Sequence, residues 1–196
     1  MVLFIEGCDN VGKSTQIAKI KKYVEEKYRI PVHLMHYTNF SKEISPNEIK
    51  NLSEKLYSQM FDIVNTHKNE CLIICDRSHI GEAVYSPIYR KYDGDYVFEI
   101  EKKFMKANAD FRGGLLLFID NPKELINRDD GKSFSIDYET KKNEVERFLQ
   151  AFDKSGLYKK FIDLKGRNAE EIFEQEVLSF VDNLVGDKSN YEKIYS

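Results

Sequence analysis

The stretch GCDNVGKST at residues 7–15 constrains this chain more than any other, because it sets Gly7, Gly12, Lys13 and Ser14 at the spacing of a phosphate-binding P-loop. Before it stands Val2-Leu3-Phe4-Ile5-Glu6, a short apolar run that reads as a buried strand. After it Ser14-Thr15-Gln16-Ile17 opens a helix, continued at helical spacing by Ile20 and Val24. Between strand and helix, the backbone N–H groups of Asn10, Val11, Gly12, Lys13 and Ser14 converge on one point, with Thr15 completing the turn. The helix N-terminus adds partial positive charge, and the glycines admit an anion without Cβ clashes. Lys13 is expected to reach the terminal phosphates of a nucleotide, and the Ser14 hydroxyl to ligate Mg²⁺.

Strand and helix patterns alternate along the rest of the chain. A second strand reads at 32–36, and a helix starts at Ser45-Pro46 with Ile49, Leu52, Leu56, Met60 and Ile63 on one face. A third strand at 71–75 delivers Asp76-Arg77-Ser78 at its end. Helical stretches then run to about residue 108, with a break near Tyr92-Asp93-Gly94, before a fourth strand at 115–119. Pro122 opens a short helix, a polar loop spans 129–135, and a helix carries Val145, Phe148, Leu149 and Phe152. A fifth strand at 161–164 precedes a last helix with Phe173, Val177, Phe180 and Leu184. This alternation predicts an α/β three-layer sandwich of the P-loop NTPase kind: a five-stranded parallel sheet with helices on both faces and ligands at the strands' C-terminal edge. One domain over residues 1–196 is expected, with a short lid around 128–136.

Charge and cysteine usage narrow the partners. A net charge of −3 gives no general attraction to nucleic acid or anionic membrane, so a small molecule is the expected partner. There is no run of 18 apolar residues and no charged-then-apolar leader, which predicts a cytoplasmic protein without a membrane span. Three cysteines make neither a disulfide framework nor a zinc site, and Cys71 and Cys75 in one strand would stand about 13 Å apart. Cys8, inside the phosphate loop, is expected to have its thiol activated by the helix N-terminus. Lysines 19, 21, 22, 141 and 142 read as solvated helix faces.

Asp76-Arg77 should emerge beside the phosphate loop, where the aspartate can orient the Mg²⁺ hydration shell and the guanidinium can clamp a phosphate through two parallel hydrogen bonds. With these residues in place the chain resembles the thymidylate kinase family of nucleoside monophosphate kinases over most of its length. The family's G-x-D-x-x-G-K-S/T loop matches residues 7–15 with Asp9, and its D-R motif matches Asp76-Arg77. Its A-Y-Q matches Val84-Tyr85-Ser86 at the tyrosine alone. A basic lid resembles Arg128-Asp129-Asp130-Gly131-Lys132, and an acidic segment is echoed by Asp137-Tyr138-Glu139. The resemblance implies transfer of the ATP γ-phosphoryl group to a deoxynucleoside monophosphate, dTMP being favoured, with Mg²⁺ and in a homodimer. It implies Asp9 on the sugar 3′-hydroxyl, Arg77 on the monophosphate, Tyr57, Tyr85 and Tyr138 around the acceptor, and Arg128 or Lys132 on the moving phosphates. The loop Gly166-Arg167-Asn168 would hold the adenine.

Three departures concern the acceptor. Phe61 stands where the family offers a base-reading arginine, Ser86 replaces a glutamine, and only Lys42 could replace an arginine after strand two. Glu82 reads as facing solvent rather than a base. The competing reading is a deoxynucleoside kinase, suggested by Asp76-Arg77-Ser78. It needs a carboxylate base for a neutral hydroxyl, for which Glu6 or Glu43 would have to serve. A nucleotide-dependent switch is the third reading, weakened by the absence of an N-K-x-D segment for guanine.

Overall fold

A computed structural model describes residues 1–37, 45–131 and 133–186. Five strands, β1 Val2–Gly7, β2 Val32–His36, β3 Leu72–Asp76, β4 Gly113–Ile119 and β5 Tyr158–Asp163, form one sheet in the order β2-β3-β1-β4-β5, every pair parallel. The central strands β1 and β4 are buried along their whole length, as strands covered on both faces must be, and their sequences are accordingly near-continuous apolar runs. The chain thus takes the α/β sandwich expected from strand–helix alternation.

One face carries α1 (Lys13–Tyr28) and the C-terminal helical run. That run comprises α7 (Ala169–Ile172), a π-helical turn at Phe173–Val177 and α8 (Leu178–Val185). Tyr23 of α1 meets Phe173 edge-on there. The other face carries α2 (Pro46–Thr66), α3 (His79–Tyr85), a π-helical turn at Ser86–Arg90, α4 (Tyr96–Ala107) and α6 (Tyr138–Lys154). Short α5 (Pro122–Asn127) leads from β4 towards the lid. In the core of this second face, Phe4 of β1 packs against Phe61 of α2 and His79 of α3, and Phe61 stacks on Phe104 of α4.

Helix α2 starts where the sequence placed it. Pro46 occupies its first turn, and Ser45 and Glu48 close a reciprocal capping box. Its buried face is different from the expected one. Ile49, Ser53, Tyr57, Met60, Phe61 and Val64 point inward, while Leu52 and Ile63 are exposed. The helix turns so that two aromatic rings are buried at the expense of two aliphatic side chains, and aromatic burial carries the larger area.

Strand register brings the functional loops together. Ile5 pairs with Asp76 and Gly7 with Phe118, so β1, β3 and β4 end side by side at the C-terminal edge of the sheet. No described helix is long and apolar enough to cross a membrane.

Candidate functional site

At the end of β1 the chain turns through Gly7 at φ +141°, where a Cβ would lie 2.2 Å from the Phe118 carbonyl oxygen. Only glycine fits there. Asn10 and Gly12 also take left-handed backbone, at φ 64° and 84°, and Gly12 leads into α1 with no side chain capping its first turn. The first-turn N–H groups are therefore left to face an anion. Lys13 lies under the loop, donating from Nζ to the Gly7 carbonyl at 2.9 Å and the Cys8 carbonyl at 2.8 Å. Burial, and then the charge of Arg77, lower its pKa against the opposing pull of Asp9 and Glu6. Val11 is buried in the loop, whereas Ser14 and Thr15 are exposed on the first turn of α1.

Arg77 leaves β3 at φ 68° and its Nη2 pairs with the Asp9 carboxylate, tying the third strand to the phosphate loop. Burial works against its charge, but Tyr85, Asp9 and Glu6 more than offset this, and Arg77 stays cationic. The pair faces a cavity of about 200 Å³ whose walls include Tyr57, Glu82, Tyr85 and Arg90. Burial holds the Tyr57 and Tyr85 hydroxyls far above their ordinary pKa. The Tyr85 hydroxyl is buried with no hydrogen-bond partner among the described residues. Asp9, Tyr57, Arg77 and Tyr85 are thus brought together, while Tyr138, at the start of α6, is exposed and lies outside this wall.

Glu82 does not face solvent. Its carboxylate is fully buried, accepting from Arg90 Nη1 at 2.5 Å, Tyr92 Oη at 2.6 Å and Tyr96 Oη at 2.9 Å. The π-helical turn and the start of α4 fold over α3 and supply these donors. Tyr92 lies in the sequence break and Tyr96 beyond it, where helical periodicity gives no warning.

Lys141 is a second correction. It is wholly buried in a 3.0 Å ion pair with Glu144, itself wholly buried, which also accepts from Tyr89 Oη. Both charges act on Cys8 of the phosphate loop. Cys8 is buried in turn, and burial pushes its thiol pKa up, against the activated thiol expected from the sequence. Cys71 and Cys75 are buried and unpaired.

On the opposite side, Arg128 pairs through Nη2 with Asp120 at the end of β4, and its Nε donates to the Glu124 carbonyl at 3.0 Å. The lid is tied to the phosphate loop by Asn10, whose Nδ2 donates to Asp129 Oδ1 at 3.0 Å and to Ser133 Oγ at 2.8 Å. Lys132, Lys42 and Glu43 lie outside the described residues. Beyond β4 and β5 a cavity of about 570 Å³ is lined by Asp120, Asn121, Lys165 and Gly166. Arg167 braces this loop from behind, donating to the Asp163 carbonyl at 2.6 Å and pairing with Glu176 at 2.5 Å. Asp120, Asn121 and Lys165 carry no motif, and only the strand register shows that they share a wall. Ser14 and Asp76 line a further cavity of about 350 Å³, where His36 Nδ1 sits 2.9 Å from Asp76 Oδ2. One hydroxyl and one carboxylate suit Mg²⁺, which keeps most of its waters and takes phosphate oxygens for the rest.

A phosphate loop ion-paired to an arginine, the two together lining one wall of a cavity, is a group-transfer layout, and comparison with known proteins agrees with it. The family model described as thymidylate kinase matches residues 5–177. The chain belongs to the thymidylate kinase family. Membership makes it a nucleoside monophosphate kinase, a phosphotransferase acting on nucleotides. Among solved structures it is similar to thymidylate kinase from Ehrlichia chaffeensis, with TM-score 0.63, 14% identity, and 91% of this chain and 97% of that one covered. It is also similar to the YorR protein from Bacillus subtilis in complex with phosphorylated GDP, with TM-score 0.62, 17% identity, and coverage of 93% and 96%. At these identities the likeness is one of fold. No curated protein sequence matches the chain.

Proposed function

We propose that this thymidylate kinase family member transfers the γ-phosphoryl group of ATP to dTMP, giving the diphosphate, and that the cavity beside Asp9 and Arg77 receives the acceptor. The observation that carries this reading is the Arg77–Asp9 pair, which puts a fixed guanidinium on the wall of that cavity and next to the phosphate loop. Arg77 takes the acceptor's phosphate, Asp9 its sugar hydroxyl, and the Tyr85 hydroxyl gains a hydrogen-bond partner that it lacks among the described residues. Tyr57 flanks the base. In phosphoryl transfer the protein positions the reactants and neutralises spread negative charge, and Lys13 with the loop N–H groups does so on the donor side. Mg²⁺ at Ser14 and Asp76, when bound, supplies further neutralisation of the phosphates. Arg128, released from Asp120, and Lys132 belong to the lid, and the Lys165–Gly166 loop to the adenine. A single domain acting as a cytoplasmic homodimer completes the reading.

The family match does not favour the deoxynucleoside kinase alternative, and of its two candidate bases Glu43 lies outside the described residues while Glu6 is buried away from the cavity. Its carboxylate is sealed at the start of α3, accepting from Ser78 N at 2.5 Å, Ser78 Oγ at 2.8 Å and Gly81 N at 3.2 Å, so it holds the D-R-S turn in place instead of facing a ligand. The test is ATP consumption with Mg²⁺ over dTMP, dUMP, dCMP, dGMP, dAMP and the matching nucleosides, with products separated by charge. Diphosphate from dTMP is expected, and activity on nucleosides alone would overturn the assignment. Arg77→Met should raise KM for dTMP by roughly 10- to 100-fold with KM for ATP little changed, the loss of charge-assisted hydrogen bonds to one phosphate.

A further inference from the structure

The acceptor cavity holds one guanidinium besides Arg77. Arg90 lies on the π-helical turn after α3 and lines the same cavity wall as Tyr57 and Tyr85. Its Nη1 is committed to Glu82 at 2.5 Å and to Ser86 Oγ at 3.4 Å. Glu82 is itself held by Tyr92 and Tyr96 through Oε1, which leaves Oε2 for Arg90. This clamp anchors the head of a side chain that would otherwise lose much rotamer freedom on binding a ligand. A guanidinium carries five N–H donors, and Nη1 provides only two of them, so donors remain for a ligand. Phe61, by contrast, is buried among Phe4, His79 and Phe104 and reaches no ligand.

We infer that Arg90, positioned by Glu82, reads the acceptor base by donating to a ring carbonyl, and so selects bases that present an oxygen where cytosine presents an amine. The inference rests on the reading that this cavity receives the acceptor. Thymine and uracil offer a carbonyl at ring position 4, whereas the cytosine amine there would set donor against donor. A site built to hydrogen-bond one group rejects an analogue lacking it, because its buried polar atoms are then left unpaired. The cavity of about 200 Å³, walled by tyrosine rings, also favours a one-ring base.

The test is calorimetric binding to the full chain of dTMP, dCMP and deoxyribose 5-phosphate, which keeps the sugar and phosphate but has no base. The wild-type protein is expected to bind dTMP more tightly than dCMP. Arg90→Met should weaken dTMP by about tenfold or more while deoxyribose 5-phosphate binds as before, and should erase the preference over dCMP. Arg90→Lys keeps a cation beside Glu82 but loses the planar set of donors, so it should fold normally and still lose dTMP affinity. An equal loss for dTMP and deoxyribose 5-phosphate would mean that Arg90 only shapes the cavity, and would overturn the inference. So would wild-type dTMP affinity in both variants, or a wild-type preference for dCMP. Failure of the functional reading looks different: wild-type protein would then neither bind nor phosphorylate any monophosphate.

Discussion

The phosphate loop and the acceptor cavity meet at Asp9, yet they are made of different material. The loop is built from main chain: Gly7 is pinned against the Phe118 carbonyl, Asn10 and Gly12 take left-handed backbone, and the first turn of α1 is left uncapped. The cavity is built from side chains sent by α2, the end of β3, α3, the π-helical turn and the lid, among them Tyr57, Arg77, Glu82, Arg90 and Phe134. Backbone dipoles fixed by a strand–turn–helix suit any polyphosphate, whereas a specific acceptor needs several side chains in register. The donor end should therefore tolerate most side-chain changes, and the acceptor end should not.

The buried ion pair that reaches the cavity wall through Tyr89 gives the strongest test of that contrast. Tyr89 stacks on Phe134 of that wall and donates to Glu144, whose partner Lys141 is wholly buried. Removing one member of a buried pair leaves an uncompensated charge, so Lys141→Met is expected to cost about 3–5 kcal/mol. For a domain of this size each kcal/mol lowers Tm by about 2–4 °C, which a thermal melt resolves easily. Lys141→Met combined with Glu144→Leu should recover most of the loss. A single variant as stable as the parent would show that the acceptor half does not depend on its individual side chains.

Lys13 is the exception expected at the donor end, because dipoles alone do not replace a full charge on the moving phosphoryl group. Lys13→Ala should lower kcat by about 10²–10³-fold, the effect of deleting one preorganised charge-stabilising donor. Steady-state turnover of ATP with dTMP measures it. Near-normal kcat would mean that the backbone carries the donor end unaided.

The same difference in material explains what was readable in the sequence. Gly7, Gly12, Lys13 and Ser14 are contiguous and each answers a local backbone requirement, so a linear pattern reveals them. The sheet was legible because buried parallel strands are uninterrupted apolar runs, as in Leu72-Ile73-Ile74-Cys75. Glu82 and Arg90 were not, since an acid and a base eight residues apart, one on a helix and one on a π-helical turn, resemble any solvated surface until Tyr92 and Tyr96 fold over them. Lys141 misled for a related reason. Beside Lys142 it looked like one solvated pair, although adjacent helical positions point about 100° apart and one of the two faces inward. Asp120, Asn121 and Lys165 became neighbours only through the β4–β5 register.

The smallest expected effect, at Asn10, divides backbone from side chain within one residue. Its N–H belongs to the loop and its φ of 64° is one that asparagine and glycine adopt readily and alanine does not, while its side chain holds Asp129 and Ser133 of the lid. Asn10→Gly therefore removes the lid contact and keeps the loop. Loss of a bond accepted by a carboxylate is worth at least about 1 kcal/mol, so KM for ATP should rise about fivefold or more while Tm falls by only a few °C. Asn10→Ala should show that rise together with a lower Tm still, because left-handed backbone costs a residue bearing a Cβ about 1–2 kcal/mol. If glycine behaves as wild type, the lid contact has no part in holding the donor. If glycine loses as much turnover as Lys13→Ala, the donor end depends on its side chains after all, and the contrast between the two halves of the site fails.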